Sequence, residues 1–540
     1  MKGYEAIADV LANAGIAVLF GVIGEANMLL ADAFVRRHRG RYVATPREDG
    51  AIQAALGYAH TGAGVGVATV THGPGLTNTV TALTEAVRNR VPVVVLTGDT
   101  ARADKASLQD IDQAAVVAPT GAGFEDVRAP DQLVDDLQWA LRRANQERRP
   151  IVVNLPVDLQ DAEVEPPAAA PAIPRSPRPA VASDLDRALG VIASASRPLL
   201  LAGRGAVRSD AREVLLELAE VLGAPVATTL KAKGLFHGRP YDLGLFGTLS
   251  SELTGRVIAD ADAVLAVGAG LNRYTTGHGG LLHGKAVVQV DDDPEAIARG
   301  FPVTASVVGD AREVAGTMTS WLQGAEHRPH PGLRTPALLT ELADWTPASE
   351  FEDRSTADAV DLRTFTIALD ELLPTDRNLV TDIGRYVMAP IRFLSVTDPA
   401  AAVAPLGFGA VGQGPGTAVG VALARPHAPT VLAIGDGGLM MSLAELTTAV
   451  REGLDLIVVV YNDGSYAAEY HNFTRLGLDP ELSLLRWPPL APLAEAFGAR
   501  AVTVTSLDDL PRVAEAIETR DRPLLLDVRV DPAVRIGFYD

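Results

Sequence analysis

The amino-acid sequence predicts an α/β protein of three doubly wound parallel-sheet domains. Short apolar runs rich in Val, Ile and Leu alternate with helix-patterned stretches, as in parallel strands buried on both faces. Two stretches break that alternation: 166–179 is rich in Pro and Ala, and 326–353 is polar and Pro-bearing. Such stretches read as connectors. They leave domains at 1–160, 183–323 and 361–540. The outer two domains share the strand–helix alternation, which suggests an old duplication without a strong sequence repeat.

In the first domain, strands are predicted at 41–45, 65–71 and 91–97, and a helix over 51–59. Glu48 stands between the first strand and that helix. His72-Gly73-Pro74-Gly75 is a turn, and Leu76-Thr77-Asn78 leads into a helix. The third strand ends at Gly98-Asp99. The central domain has strands at 198–202, 263–267 and 286–290. Gly203-Arg204-Gly205-Ala206 follows the first of these, as dinucleotide-binding loops do, but Arg208 stands where the third glycine belongs.

In the last domain, the strand 430–434 runs into Gly435-Asp436-Gly437, and the strand 456–461 into Asn462-Asp463-Gly464. Between them Ser442-x-x-Glu445 has the form of a capping box, which predicts a helix start there and an end near Gly453. The unit is a right-handed βαβ. Neighbouring strands lie about 5 Å apart, so Asp436 and Asp463 meet at the carboxyl ends, where open parallel sheets bind ligands. Gly437 and Gly438 let backbone N–H groups approach a phosphate. Carboxylate, amide and carbonyl oxygens suit Mg²⁺ shared with a diphosphate.

Gly435-Asp436-Gly437 followed by Asn462-Asp463 resembles the cofactor motif of thiamine-diphosphate enzymes, in the acetolactate synthase, pyruvate oxidase and 2-oxo acid decarboxylase group. Glu48, Gly57-Tyr58-Ala59, Gly73-Pro74-Gly75 and Thr77-Asn78 resemble that family's pyrimidine-binding domain. The likeness covers essentially the whole chain and is strongest over 1–130 and 377–470. It implies a pyrimidine-binding domain at 1–160, a central domain at 183–323 and a diphosphate-binding domain at 361–540. It also implies that Glu48 bonds the pyrimidine N1′ and turns the 4′-nitrogen into a base. In Leu406-Gly407-Phe408-Gly409-Ala410-Val411, Gly409 would offer a carbonyl to the 4′-amino group and Val411 would wedge the cofactor into its bent shape. The metal ligands implied are Asp436, Ser465 and Asp463 or, shifted by one position, Asn462 as the side-chain ligand. Gly384, Arg385, Tyr386, Gly435, Gly437, Gly438, Ser465 and Tyr466 would complete the cofactor site. The family has Asn at Asp463, and Gln and His where Arg385 and Tyr386 stand; an Arg could contact the diphosphate directly.

The substrate side is mixed. Glu25 and Glu469 align with acidic groups of the decarboxylases, and His72 and Gln109 fall where the family lines the pocket. The paired histidines of pyruvate decarboxylases are absent, since Gln109-Asp110-Ile111-Asp112 fills that region. The resemblance thus implies decarboxylation of a 2-oxo acid followed by transfer to a carbonyl acceptor, or simple decarboxylation. A flavin or nicotinamide oxidoreductase using the central domain, and a non-catalytic homologue, are the readings from other classes. FAD stays open, because Gly268-Ala269-Gly270-Leu271-Asn272-Arg273 and Val290-Asp291-Asp292-Asp293 are similar to flavin-side loops. In the family each site is shared between subunits, so a homodimer or homotetramer is expected.

Composition agrees with a large enzyme. At 540 residues, several domains are the prior, and 47% hydrophobic residues supply core material. A net charge of −20 argues against a nucleic-acid partner. The absence of cysteine excludes disulfides, thiolate zinc sites and cysteine nucleophiles. Met1-Lys2-Gly3-Tyr4-Glu5-Ala6 lacks a signal-peptide pattern. No apolar run reaches the ~18 residues of a membrane span, so a cytoplasmic location with no membrane partner is expected.

Overall fold

The computed structural model describes residues 1–104, 106–168, 179–330, 332–534 and 536. Most of the connector predicted at 166–179 lies outside the described residues.

Among them are three six-stranded sheets. The first holds β1 (Val18–Gly21), β2 (Arg41–Ala44), β3 (Gly66–Val70), β4 (Val93–Asp99), β5 (Gly123–Asp126) and β6 (Ile151–Pro156). The second holds β7 (Pro198–Ala202), β8 (Val226–Thr228), β9 (Asp242–Leu245), β10 (Ala263–Val267), β11 (Ala286–Asp291) and β12 (Ala305–Val308). The third holds β13 (Asn378–Thr381), β14 (Ala402–Val403), β15 (Thr430–Gly435), β16 (Leu456–Asn462), β17 (Arg500–Val504) and β18 (Leu524–Arg529). All neighbouring strands pair in parallel. The predicted fold class holds.

The first sheet is ordered β2-β1-β3-β4-β6-β5 and the third β14-β13-β15-β16-β18-β17. Counted within its own domain, each strand has the same place in both. The second sheet, β12-β11-β10-β7-β8-β9, has the order of dinucleotide-binding sheets.

Equivalent helices join the outer domains. The helix Glu48–His60 follows β2, and the helix Gly414–Ala424 follows β14. They pack face to face because small residues let the backbones meet. A Cβ on Gly57 would stand 2.2 Å from the Thr417 carbonyl oxygen, and one on Gly420 would stand 1.9 Å from that of Ala54. The helix Gly414–Ala424 carries no charge and is buried nearly throughout, as an all-apolar helix must be. Ile52 and Leu56 share one core with Ala418, Val421, Leu432 and Val460. Burying Ile52 and Leu56 contributes roughly 1.5–3 kcal/mol each.

Three sequence expectations need correction. The helix predicted over 51–59 begins at Glu48, since Arg47 is extended and the acidic pair Glu48 and Asp49 suits a first turn. The turn at His72 continues into one helical turn, Pro74–Thr77, with proline at its first position. The stretch 326–353 is more than a connector. It holds the helix Pro336–Asp344, capped by Thr335, which sinks Leu338 into the central core. A single buried residue in nine gives too little periodicity to read from sequence. Among the described residues, no helix is long and apolar enough to cross a membrane.

Candidate active site

β15 and β16 are neighbours in register, with Gly435 opposite Tyr461, so Asp436 and Asp463 emerge side by side. Asp436 opens the helix Asp436–Met441 and is 2% exposed. Its Oδ2 accepts from Trp487 Nε1 at 3.0 Å. Asp463 Oδ1 accepts from the Ser465 hydroxyl at 2.8 Å and its N–H at 2.9 Å. Burial pushes Asp436 up to about 7, and the charge of Asp463 adds to the effect. Burial likewise pushes Asp463 up to about 6, against the opposing charge of Arg385. Adjacent Asn462 donates its amide to Asp527 Oδ1 at 2.7 Å, which leaves Asn462 Oδ1 buried without a hydrogen-bond partner. Among the described residues no three His, Asp or Glu side chains converge on a metal site. A cation at this pair would therefore complete its shell with amide, carbonyl and ligand oxygens, as Mg²⁺ does.

The glycines around the pair are set by contact. A Cβ on Gly437 would lie 2.7 Å from the Tyr466 ring, and one on Gly438 would lie 2.6 Å from Asp382 Oδ2. Neither glycine carries a side chain that would bar an anion from the start of the helix Asp436–Met441. Ser442 and Glu445 form no capping box. Ser442 ends that helix and donates its hydroxyl to the Gly412 carbonyl at 2.5 Å. The next helix, Glu445–Arg451, starts from Ala444. The Glu445 side chain is buried instead against Gly50 of the first domain.

Gly384 ends the loop after β13, and Arg385 follows it. The Tyr386 side chain is buried. Its ring stacks on Tyr461 at 5.4 Å, and its hydroxyl donates to the Ala433 carbonyl at 3.3 Å. It forms a floor beneath Gly435, whose Cβ would meet the ring at 3.1 Å.

The loop after β14 turns through Gly409 (φ +82°) and Gly412 (φ +84°) and leaves Phe408 42% and Val411 36% exposed. Both its ends rest on buried carboxylates. Asp382 accepts the N–H groups of Gly412 at 2.7 Å and Gln413 at 3.3 Å, and Glu85 accepts those of Gly407 and Phe408. Burial pushes Asp382 up to about 7. Sequence reasoning missed Asp382, Glu85 and Trp487. Asp382 was detectable, because Asp382-Ile383-Gly384 follows a strand much as Asp436 does. Glu85 and Trp487 carry no local signal.

The first domain carries its candidates in the segments that follow β1, β2, β3 and β4. Glu48 Oε2 accepts from Asn78 Nδ2 at 2.9 Å, and Glu48 is half-buried. His72 is buried, with Nδ1 enclosed and unpartnered. Glu25 is exposed in a loop whose Gly24 abuts Thr71, next to His72. The Gln109 side chain is exposed, while its carbonyl lies over Gly73. Glu469 is exposed on the helix Ala467–Arg475 of the third domain. The chain thus presents two groups of candidate residues on two sheets, and the helices Glu48–His60 and Gly414–Ala424 pack between those sheets.

Three family models match in succession: the thiamine pyrophosphate enzyme N-terminal TPP binding domain at 1–116, central domain at 185–318 and C-terminal TPP binding domain at 382–528. The chain belongs to the thiamine pyrophosphate enzyme family. Glu48, His72, Glu25 and Gln109 fall within the first match, and Asp436 and Asp463 within the third. Among similar proteins is a probable acetolactate synthase large subunit of Methanocaldococcus jannaschii, 28% identical over 99% of this chain and 92% of that one. An acetolactate synthase of Arthrospira platensis is 29% identical over 98% and 94%. A sulfoacetaldehyde acetyltransferase of Castellaniella defragrans is 28% identical over 96% and 91%.

The residues present fit a metal-bound diphosphate: a buried carboxylate pair, an orphaned Asn462 side-chain carbonyl oxygen and a helix start lined by glycines. The cavity between the loops after β7, β10 and β11, lined by Gly205, Arg208, Gly268 and Asp291, measures about 20 Å³, room for one water. Arg204 and Arg208 turn instead to the carbonyls of Asn89 and Arg90 in the first domain, and Asp293 pairs with Arg90 at 2.6 Å.

Proposed function

We propose that this enzyme is a thiamine-diphosphate-dependent carboligase that decarboxylates a 2-oxo acid and transfers the remaining acyl unit to a second carbonyl compound. The observation that carries the reading is the pairing of Asp436 with Asp463 at adjacent strand ends, beside the loop of Gly409 and Val411. When bound, thiamine diphosphate supplies the nucleophilic carbon and the electron sink for loss of carbon dioxide. Asp436, Asp463 and the Asn462 carbonyl would hold Mg²⁺ against the diphosphate, with Ser465 fixing the Asp463 carboxylate. The N–H groups of Gly437 and Gly438, with Arg385 nearby, would take the remaining phosphate oxygens. Glu48 would hold a proton at the pyrimidine nitrogen, the Gly409 carbonyl would accept from the exocyclic amine, and Val411 would pack between the rings.

His72, Gln109, Glu25 and Glu469 would face the substrates. The names of the relatives, synthases and an acetyltransferase, support transfer. The carboxylates of Glu25 and Glu469 are the one feature that favours the alternative, protonation and release as an aldehyde. Half-burial of Glu48 and exposure of Phe408 and Val411 support a homodimer in which one chain's first domain closes on the other's third. A cytoplasmic location goes with this reading, and cell fractionation tests it. The deciding experiment incubates the protein with thiamine diphosphate, Mg²⁺ and a panel of 2-oxo acids, with and without aldehyde or oxo-acid acceptors, and identifies products by mass spectrometry. Ligated products are expected; aldehyde alone in every mixture would leave the decarboxylase reading, and no turnover would refute both.

A further inference from the structure

The loop that carries Gly409 and Val411 begins with two backbone donors held by another domain. Gly407 N–H reaches Glu85 Oε1 at 2.7 Å and Phe408 N–H reaches Glu85 Oε2 at 2.6 Å. Glu85 lies on the first-domain helix Val80–Arg88 and is 0% exposed. Its third donor is the Asn89 amide, and Asn89 Oδ1 accepts from Lys231 Nζ of the central domain at 2.8 Å. The Arg88 guanidinium lies 4.8 Å from the centre of the Phe408 ring. A carboxylate buried on two consecutive N–H groups is a short, directional, charge-assisted clamp. Its buried neighbours on the helix are Ala82, Leu83, Thr84 and Ala86, none of them charged, so packing alone does not call for an acid at this position.

We propose that Glu85 is a positioning residue for the reaction: from the first domain it sets the placement of the loop whose Gly409 carbonyl and Val411 side chain shape the cofactor. Asp382 fixes the far end of that loop from within the third domain. Glu85 therefore decides whether the near end keeps its register. The proposal rests on the functional reading above.

Glu85→Gln keeps the size of the side chain but loses its charge and one acceptor, whereas Glu85→Asp keeps the charge and shortens its reach. In the ligand-free protein, Glu85→Gln is expected to raise amide deuterium uptake over 406–413 above wild type. In the loaded protein, Mg²⁺–thiamine-diphosphate affinity, read by tryptophan quenching, should stay within about threefold. Deuterium exchange at cofactor C2 should slow roughly 10- to 100-fold, the scale of a misplaced catalytic group. Glu85→Asp should move both readouts the same way by less, and it decides the matter if Glu85→Gln does not fold. Wild-type loop protection, or a lowered melting temperature with wild-type C2 exchange, would overturn the proposal. A wild-type protein that takes up no cofactor would refute the functional reading instead, and loop protection in the ligand-free chains would still decide for or against the clamp.

Discussion

Gly57 of the first domain and Gly420 of the third make the same contact in opposite directions. Each lies on the carbonyl of the residue three places before the other: Gly57 on Thr417, Gly420 on Ala54. The two helices also follow equivalent strands, so the interface is internally two-fold in character.

Gly57→Ala and Gly420→Ala should therefore lower the apparent melting temperature by similar amounts, each costing about 1–3 kcal/mol as an overpacked core does. Gly190, in the helix Ala182–Ala193 with open space at its Cβ, is the control. Gly190→Ala should stabilise by about 0.5–1 kcal/mol. Thermal scans of the three variants check this, and equal shifts at all three positions would contradict it.

Glu48→Gln should leave Mg²⁺–thiamine-diphosphate binding near wild type and slow C2 exchange by roughly 10²- to 10⁴-fold, the range for loss of an acid–base partner. Turnover that survives this change would remove Glu48 from the chemistry.

Trp487→Phe keeps the ring packing and removes the N–H donor from Asp436. Groups that orient a metal ligand typically contribute 10- to 100-fold in affinity, so Mg²⁺ binding measured by calorimetry should weaken by roughly that factor. Unchanged Mg²⁺ affinity would mean that Trp487 does not orient a metal ligand.

Glu445 is 3% exposed, and burial, with the charge of Asp49 adding, pushes it from 4.5 up to about 8. The folded chain keeps a proton that the unfolded chain releases, so this group's contribution is complete below the unfolded value and is lost as pH rises toward about 8. Glu445→Gln removes that slope. The variant should gain stability relative to wild type between about pH 5 and pH 8 in paired denaturation curves. A constant offset between the two curves would show that Glu445 ionises normally.

Much of this was legible in the sequence because local chemistry and tertiary role coincide. The runs of β15 and β16 are buried on both faces, and Asp436 and Asp463 lie just past their ends. Ser442 and Glu445 matched a local capping pattern, but tertiary partners claimed both side chains: the Gly412 carbonyl took one and Gly50 the other. Tyr386 stood in the expected motif position, yet an aromatic partner, Tyr461, drew it into the core. Glu85 and Trp487 act across long sequence separations, where periodicity holds no information.

The central domain has the strand order of a nucleotide carrier, yet Arg204 and Arg208, beside its mouth, grip the first domain's backbone. Its guest is a permanent neighbour. Installing a nucleotide there by engineering would set two occupants in competition for the same guanidinium groups.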